Sequence, residues 1–189
     1  MEGFHDLPVP IRIYVANEKQ GGKSYAWYVL GDNAEKEVIK YGAITGTITD
    51  ILTKEVEVKV STKLTDKKQK LDVSLNVGDQ LYIIRSGVET TFSKVLALSL
   101  SKLSERELAG KVSIAATPST DNEKVVFCKV LSEGKPVNID WKTEWNNPDK
   151  PLIVPDLVSS IQSKINALDS VNMGLDDGIP PEVLEGSPF

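Results

Sequence analysis

The stretch KEVEVKVSTKL, residues 54–64, constrains the fold of this chain more than any other segment. Apolar or β-branched residues alternate there with charged or polar ones over the whole length. Successive side chains of a β-strand point to opposite sides, so this period of two predicts a strand with one inward face. The residues predicted to face inward are Val56, Val58, Val60, Thr62 and Leu64.

Further strands are predicted on both sides of this stretch. IRIYVAN (11–17) puts Ile11 and Ile13 on one face and Arg12 and Tyr14 on the other. Gly21-Gly22 then favours a hairpin turn, because glycine adopts positive φ at little cost. The other predicted strands are SYAWYVL (24–30), EVIKYGAITGTITDIL (37–52), two segments within LDVSLNVGDQLYIIR (71–85), KVSIAAT (111–117) and KVVFCKVL (124–131). We therefore predict a mainly β fold, specifically an OB-like β-barrel.

Helices are fewer. In VPDLVSSIQSKINALD the apolar residues recur at helical spacing, which predicts an amphipathic helix over 154–168. SERELAG has a serine cap and a terminal glycine, so it predicts one helical turn. FSKVLALSLSKL (92–103) fits either a strand or a buried helix. The predicted segments are a flexible N-terminus (1–9), the barrel (10–140), a linker (141–153), the helix (154–168) and an acidic disordered tail (169–189).

The composition argues against several classes of function. The chain has one His and one Cys, and it carries no phosphate-binding loop, nucleophile elbow or H-E-x-x-H motif. We therefore expect no enzyme, no metal and no cofactor. No apolar run approaches the roughly 20 residues that cross a bilayer, so we expect no membrane partner. The start MEGFHDLPVP lacks the features of a signal peptide, and we expect a cytoplasmic protein.

Charge is distributed unevenly along the chain. From Asn166 to the end there is no Lys or Arg, and five acidic residues supply a charge equal to the whole net charge of −5. The rest of the chain has equal numbers of acidic and basic residues. An acidic segment set apart in this way is typical of a region that binds partners.

A single-strand binding surface combines a basic groove with aromatic rings on which bases stack. The candidate residues are Tyr14, Lys19, Lys23, Tyr25, Trp27, Lys59, Lys63, Lys67, Lys68 and Lys70. The alternative is structural: strands favour aromatic residues in any case, and the lysines can simply be a solvated face.

The end of the chain resembles that of the bacterial and phage single-stranded DNA-binding proteins. Members of that family end in an acidic peptide with an apolar tip, and here DDGIP is followed by a terminal Pro-Phe. The resemblance covers about sixteen residues. It implies an OB-fold body that binds single-stranded DNA, in a phage, plasmid or bacterial setting, and a tail that recruits replication or repair proteins. The residues assigned to partner binding by this resemblance are Asp176, Asp177, Ile179, Pro180, Pro188 and Phe189.

Two alternatives stay open from the sequence. The last residues can be a plain solvated tail, or can fold back onto an apolar groove of the barrel. The protein can also be a non-catalytic β-barrel module for protein–protein interaction or assembly. In that case the apolar face of the helix, with Leu157, Ile161 and Ile165, is predicted to hold an oligomer together.

Overall fold

A computed structural model describes residues 9–61, 64–145 and 151–173. Strands dominate it, which confirms the predicted mainly β class. The strands are β1 (Ile11–Gln20), β2 (Lys23–Leu30), β3 (Lys36–Ile39), β4 (Ala43–Ser61), β5 (Leu64–Val77), β6 (Gln80–Gly87), β7 (Val112–Pro118), β8 (Val126–Ser132) and β9 (Lys135–Pro136). The helices are α1 (Thr91–Lys102), α2 (Glu105–Ala109) and α3 (Val154–Met173), with a π-helical turn at Trp141–Trp145.

All nine strands form one curled sheet in the order β3-β2-β1-β6-β5-β4-β7-β8-β9. Neighbouring strands are antiparallel except β1 and β6, which run parallel with Ile13 opposite Ile84. The curl brings β1 and β2 back towards β7 and β8. At this approach the side-chain amide of Asn17 donates a hydrogen bond of 3.0 Å to the backbone oxygen of Ser119. The sheet is therefore a half-barrel whose curl is held by contacts between β1 and β2 on one side and β7 and β8 on the other.

The helices cover the inner face of the half-barrel. Phe92 and Leu96 of α1, and Ile161 of α3, are almost completely buried in one cluster with the inward residues of the sheet. Lys164 fixes α3 further, because its ammonium donates hydrogen bonds of 2.7 Å to the backbone oxygens of Ser101 and Leu103. Apolar burial of this kind is the main driving force for the fold.

The hairpin of β4 and β5 extends beyond the rest of the sheet. Ile51 and Leu71 are fully buried at its base. Beyond them Lys54 lies opposite Lys70, and Val56 lies opposite Lys68. We call residues 54–70 the arm. Val56 and Val58 are only partly buried, so the arm is a two-stranded projection and the inward face predicted for these valines does not belong to the core.

Several local predictions are confirmed. Gly21 and Gly22 have φ angles of 57° and 77° in the turn between β1 and β2. The segment 92–103 is a helix for nearly all of its length, which settles the open choice. Ser104 and Glu107 form a capping box at the start of α2.

Four predictions about the two terminal parts of the sequence have different outcomes. The predicted helix is present but longer, because α3 continues to Met173. Its apolar face is not free for an oligomer, since Ile161 and Ile165 are buried against the same chain. The predicted flexible segment 1–9, apart from Val9, and the partner-binding residues from Asp176 onward lie outside the described residues.

Candidate nucleic-acid interface

The side of the sheet that points away from the helices carries a row of aromatic and charged residues. In β1 the inward Ile13 is flanked by Arg12 and Tyr14, which point outward. The strand pairing places Tyr14 between Tyr28 of β2 and Arg85 of β6. Arg85 in turn lies opposite Asp72 of β5. We call this surface the outer face.

Tyr14 and Tyr28 form a stacked pair on the outer face. Their ring centroids are 5.2 Å apart and the planes are inclined by 16°. The ammonium of Lys36 lies 4.8 Å from the centroid of the Tyr28 ring, and it also pairs with Glu18. Partial burial raises the pKa of the Tyr28 hydroxyl, although Lys36 acts in the opposite direction. The phenol is therefore neutral at physiological pH and adds no charge that would repel a phosphate.

Next to the tyrosines, Arg85 and Asp72 form a buried ion pair. Two guanidinium nitrogens of Arg85 donate hydrogen bonds of 2.7 and 2.6 Å to the two carboxylate oxygens of Asp72. Lys54 approaches the same carboxylate at 3.3 Å. Burial acts to raise the pKa of Asp72, but Arg85 and Lys54 outweigh it and hold the pKa below its ordinary value. The carboxylate thus stays ionised and keeps Arg85 in place beside Tyr14.

Arg12 has an unsatisfied donor on this surface. Its Nε is buried and has no hydrogen-bond partner among the described residues. A buried polar group without a partner costs free energy, and a rotation of the Arg12 side chain that brings this nitrogen to a hydrogen-bond acceptor would recover that cost. A phosphate oxygen is an acceptor of the kind that arginine prefers.

The arm extends the positive charge of the outer face. Lys54 and Lys70 face each other across the hairpin, and Lys68 lies on the same side. Burial, followed by repulsion from Lys68 and Arg85, lowers the pKa of Lys70. The opposite side of the arm is compensated, since Lys67 pairs with Glu55 at 2.8 Å. The arm therefore presents its excess charge on the side that is continuous with the tyrosine pair.

The structure brings together only some of the residues predicted from the sequence. The outer face includes Tyr14, and the side of the arm that continues this face includes Lys68 and Lys70. Lys19 and Lys23 lie at the tip of the β1–β2 hairpin, where Lys19 pairs with Glu123. Tyr25 is partly buried opposite Glu18, and Lys67 belongs to the compensated side of the arm. Lys59 has a described backbone only, and Lys63 lies outside the described residues.

Trp27 is a core residue. Its side of β2 faces inward, its exposed fraction is 3%, and its ring packs edge-on against Phe92 at 5.9 Å. The indole nitrogen donates a hydrogen bond of 2.9 Å to the backbone oxygen of Tyr41. A base cannot reach the ring in this structure. Trp27 therefore fits the alternative in which an aromatic residue of a strand serves the core.

Sequence reasoning missed several members of the outer face, namely Arg12, Tyr28, Lys36, Lys54 and Arg85. The sequence contains no firm signal for Tyr28. The two-residue Gly-Gly turn in regular register would pair Tyr14 with Val29, on the other side of β2, and an irregularity between Val15 and Glu18 brings Tyr28 opposite Tyr14 instead. Arg85 has no local signal either, because the pairing of β1 with β6 is long-range.

An apolar pocket of about 320 Å³ lies on the inner face near the start of β1. Trp27, Ile39 and Tyr82 form part of its wall. Around it Ile11 and Tyr41 are exposed by 38% and 80%. No group of three or more His, Cys, Asp or Glu residues suited to a metal ion occurs among the described residues. Within the same part of the chain, no helix is long and apolar enough to cross a membrane.

Comparisons with known proteins return no match: no family model, no curated protein and no solved structure is significantly similar to this chain.

Proposed function

We propose that this protein binds single-stranded DNA without sequence preference and has no catalytic role. The observation that carries the proposal is the stacked pair Tyr14–Tyr28, flanked by Lys36 on one side and Arg85 on the other. Bases stack on aromatic rings whatever their identity, and nearby cations hold the phosphates. The curled sheet serves in this proposal as an OB-type barrel does, with its exposed strands as the binding platform.

The charge of the outer face supports the same function. Basic residues outnumber acidic ones there and on the adjoining side of the arm, although the chain as a whole is acidic. Phosphate contacts dominate the affinity of most proteins for nucleic acids. A local excess of positive charge on a neutral body is enough to orient a strand along one surface.

In the same proposal the C-terminal residues act separately from the sheet. The DDGIP element and the terminal Pro-Phe offer acidic and apolar groups to replication or repair proteins in the cytoplasm. A basic pocket that accepts the acidic side chains, together with an apolar slot for Phe189, is the matching chemistry.

Fluorescence anisotropy with a labelled oligothymidylate tests the proposal. We expect binding at low salt that weakens steeply as salt is added, and weaker binding to a duplex of the same length, whose bases are not free to stack. A chain that leaves the anisotropy unchanged at low salt is not a single-strand binding protein.

A second candidate function follows from the apolar pocket beside Ile11 and Tyr41. Exposed apolar residues around a cavity are typical of an interaction site, and a second copy of the chain is the partner we assign to it. Sedimentation equilibrium is the test. We expect a dimer that Tyr41→Asp converts to a monomer; a monomeric wild-type chain contradicts this candidate.

A further inference from the structure

A second cleft lies at the base of the arm, between β5 and the first turns of α1 and α3. Its volume is about 780 Å³. The walls come from β5 (Lys68 and Lys70), from the segment after β6 (Val88), and from the loop between β7 and β8 (Lys124). Pro155, in the first turn of α3, closes one side.

Two residues of the cleft, Lys68 and Lys70, also belong to the side of the arm that continues the outer face. Lys70 lies opposite Lys54 on the outer face and also lines the cleft. Burial, followed by repulsion from Lys68 and Arg85, lowers the pKa of Lys70, which shows that these positive charges lie close enough to repel one another. An anion that bridged them would relieve this repulsion.

The other groups of the cleft fit the same kind of ligand. Glu89 is the acidic residue among those that line it, and it pairs with Lys94 at 2.9 Å. Ile153 is exposed by 49% and supplies apolar surface beside the lysines. A cleft that combines lysines with exposed apolar surface suits the phosphates, sugars and bases of an unpaired strand.

We infer that this cleft is a second subsite for single-stranded DNA, in which the strand passes from the tyrosine pair across Lys70 and around the base of the arm to Lys124. The inference rests on the proposed function. It adds the path of the bound strand along the surface and the length of strand that is needed to occupy both places. A strand too short to span both places contacts the tyrosine pair alone. A longer strand gains the phosphate contacts of the cleft.

Lys124→Ala is the variant that tests this path, because Lys124 lines the cleft and is not part of the outer face. Lys111→Ala is the matched control, since Lys111 is also exposed but does not line the cleft. Affinities are measured for oligothymidylates of about 5 and about 16 nucleotides, near the two ends of the site sizes known for single barrels.

We expect Lys124→Ala to bind the long oligonucleotide about threefold to tenfold more weakly and the short one within about twofold of wild type. The slope of log affinity against log salt concentration should fall by about 0.7 for the long strand only, the value for one lost phosphate contact on a single strand. Lys111→Ala should leave both affinities within about twofold of wild type.

The outcomes separate the inference from the proposed function. If wild type binds both strands but Lys124→Ala changes neither, or changes both equally, the cleft is not a subsite and the outer face remains the binding site. A gain in affinity for either strand also overturns the inference. If wild type binds neither strand, the proposed function fails together with the subsite.

Discussion

The guanidinium of Arg85 and the carboxylate of Asp72 face each other across β5 and β6 and share two parallel hydrogen bonds of 2.7 and 2.6 Å. Their side chains are exposed by only 13% and 4%, so the pair is shielded from water although the neighbouring Tyr14 and Tyr28 are partly exposed. Removing one partner of such a pair leaves the other as an uncompensated charge.

We expect Asp72→Asn to lower the free energy of unfolding at neutral pH by about 3 kcal/mol. The pKa of Asp72 is held below its ordinary value in the folded state. Its contribution is therefore fully present above the unfolded pKa of about 3.9, and is lost as the pH falls through the lower folded value. Urea denaturation of both proteins between about pH 7 and pH 2 measures this difference.

Asp66→Asn is the control for that measurement. Asp66 is exposed on the arm and lies 3.9 Å from Lys68, so its loss should change the stability by less than about 0.5 kcal/mol. A stability difference for Asp72→Asn that stays constant from neutral to acid pH would contradict the assigned role of the carboxylate.

The tyrosine pair gives a prediction about affinity. Tyr14→Ala or Tyr28→Ala should weaken the binding of oligothymidylate by about tenfold, which is within the range of about 1–3 kcal/mol for one stacked base. Tyr28→Phe should bind nearly as well as wild type, because stacking needs the ring and not the hydroxyl. Anisotropy titration gives all three affinities.

Tyr41→Ala serves as the matched control, since Tyr41 is 80% exposed but lies away from the outer face. Equal losses for Tyr41→Ala and Tyr14→Ala would show that the effect is not specific to the stacked pair.

A substitution at Trp27 should change the stability of the protein without changing its affinity for DNA. Trp27→Phe removes the hydrogen bond to Tyr41 and part of a buried ring, and should cost about 1–3 kcal/mol of stability. We expect its affinity for single-stranded DNA, measured by anisotropy where the variant is fully folded, to stay within about twofold of wild type. A large loss of affinity in the folded variant would place Trp27 in the binding site instead of the core.

Cys128 gives a prediction about reactivity. The residue is partly exposed, but burial around its thiol raises the pKa well above the ordinary value, so the thiolate is scarce at neutral pH. We expect slow modification by iodoacetamide at about pH 8 in the native protein and fast modification after denaturation with urea. Equal rates in the two states would show that the thiol is accessible.

Local patterns predicted much of the fold. Alternation located β1, and the outward position of Tyr14 followed from Ile11 and Ile13 on the other side. For β2, alternation separates Tyr28 from Trp27 but does not say which of the two points to the core. Which ring points to the core depends on which side of the sheet is buried, and that side is set by the helices that pack on it.

The helix α1 shows a second limit of local patterns. Its sequence offers both a strand-like and a helix-like arrangement of apolar residues, because Ser93 and Ser99 are buried along with their neighbours. A segment buried on most sides loses the contrast between faces on which periodicity depends. The position of Arg85 beside Tyr14 was out of reach for a different reason, since it depends on a pairing between distant strands.

The parallel pairing of β1 with β6 has a consequence for how the protein is made. During synthesis the hairpin of β1 and β2 leaves the ribosome first, but the strand that completes its sheet, Gln80–Gly87, follows only after the whole arm has been made. Contacts between distant segments slow folding, so we expect the β1 edge of this hairpin to stay unpaired until β6 has been made and has docked. The Tyr14–Tyr28 pair lies within the early hairpin, and Arg85 joins it only when β6 docks.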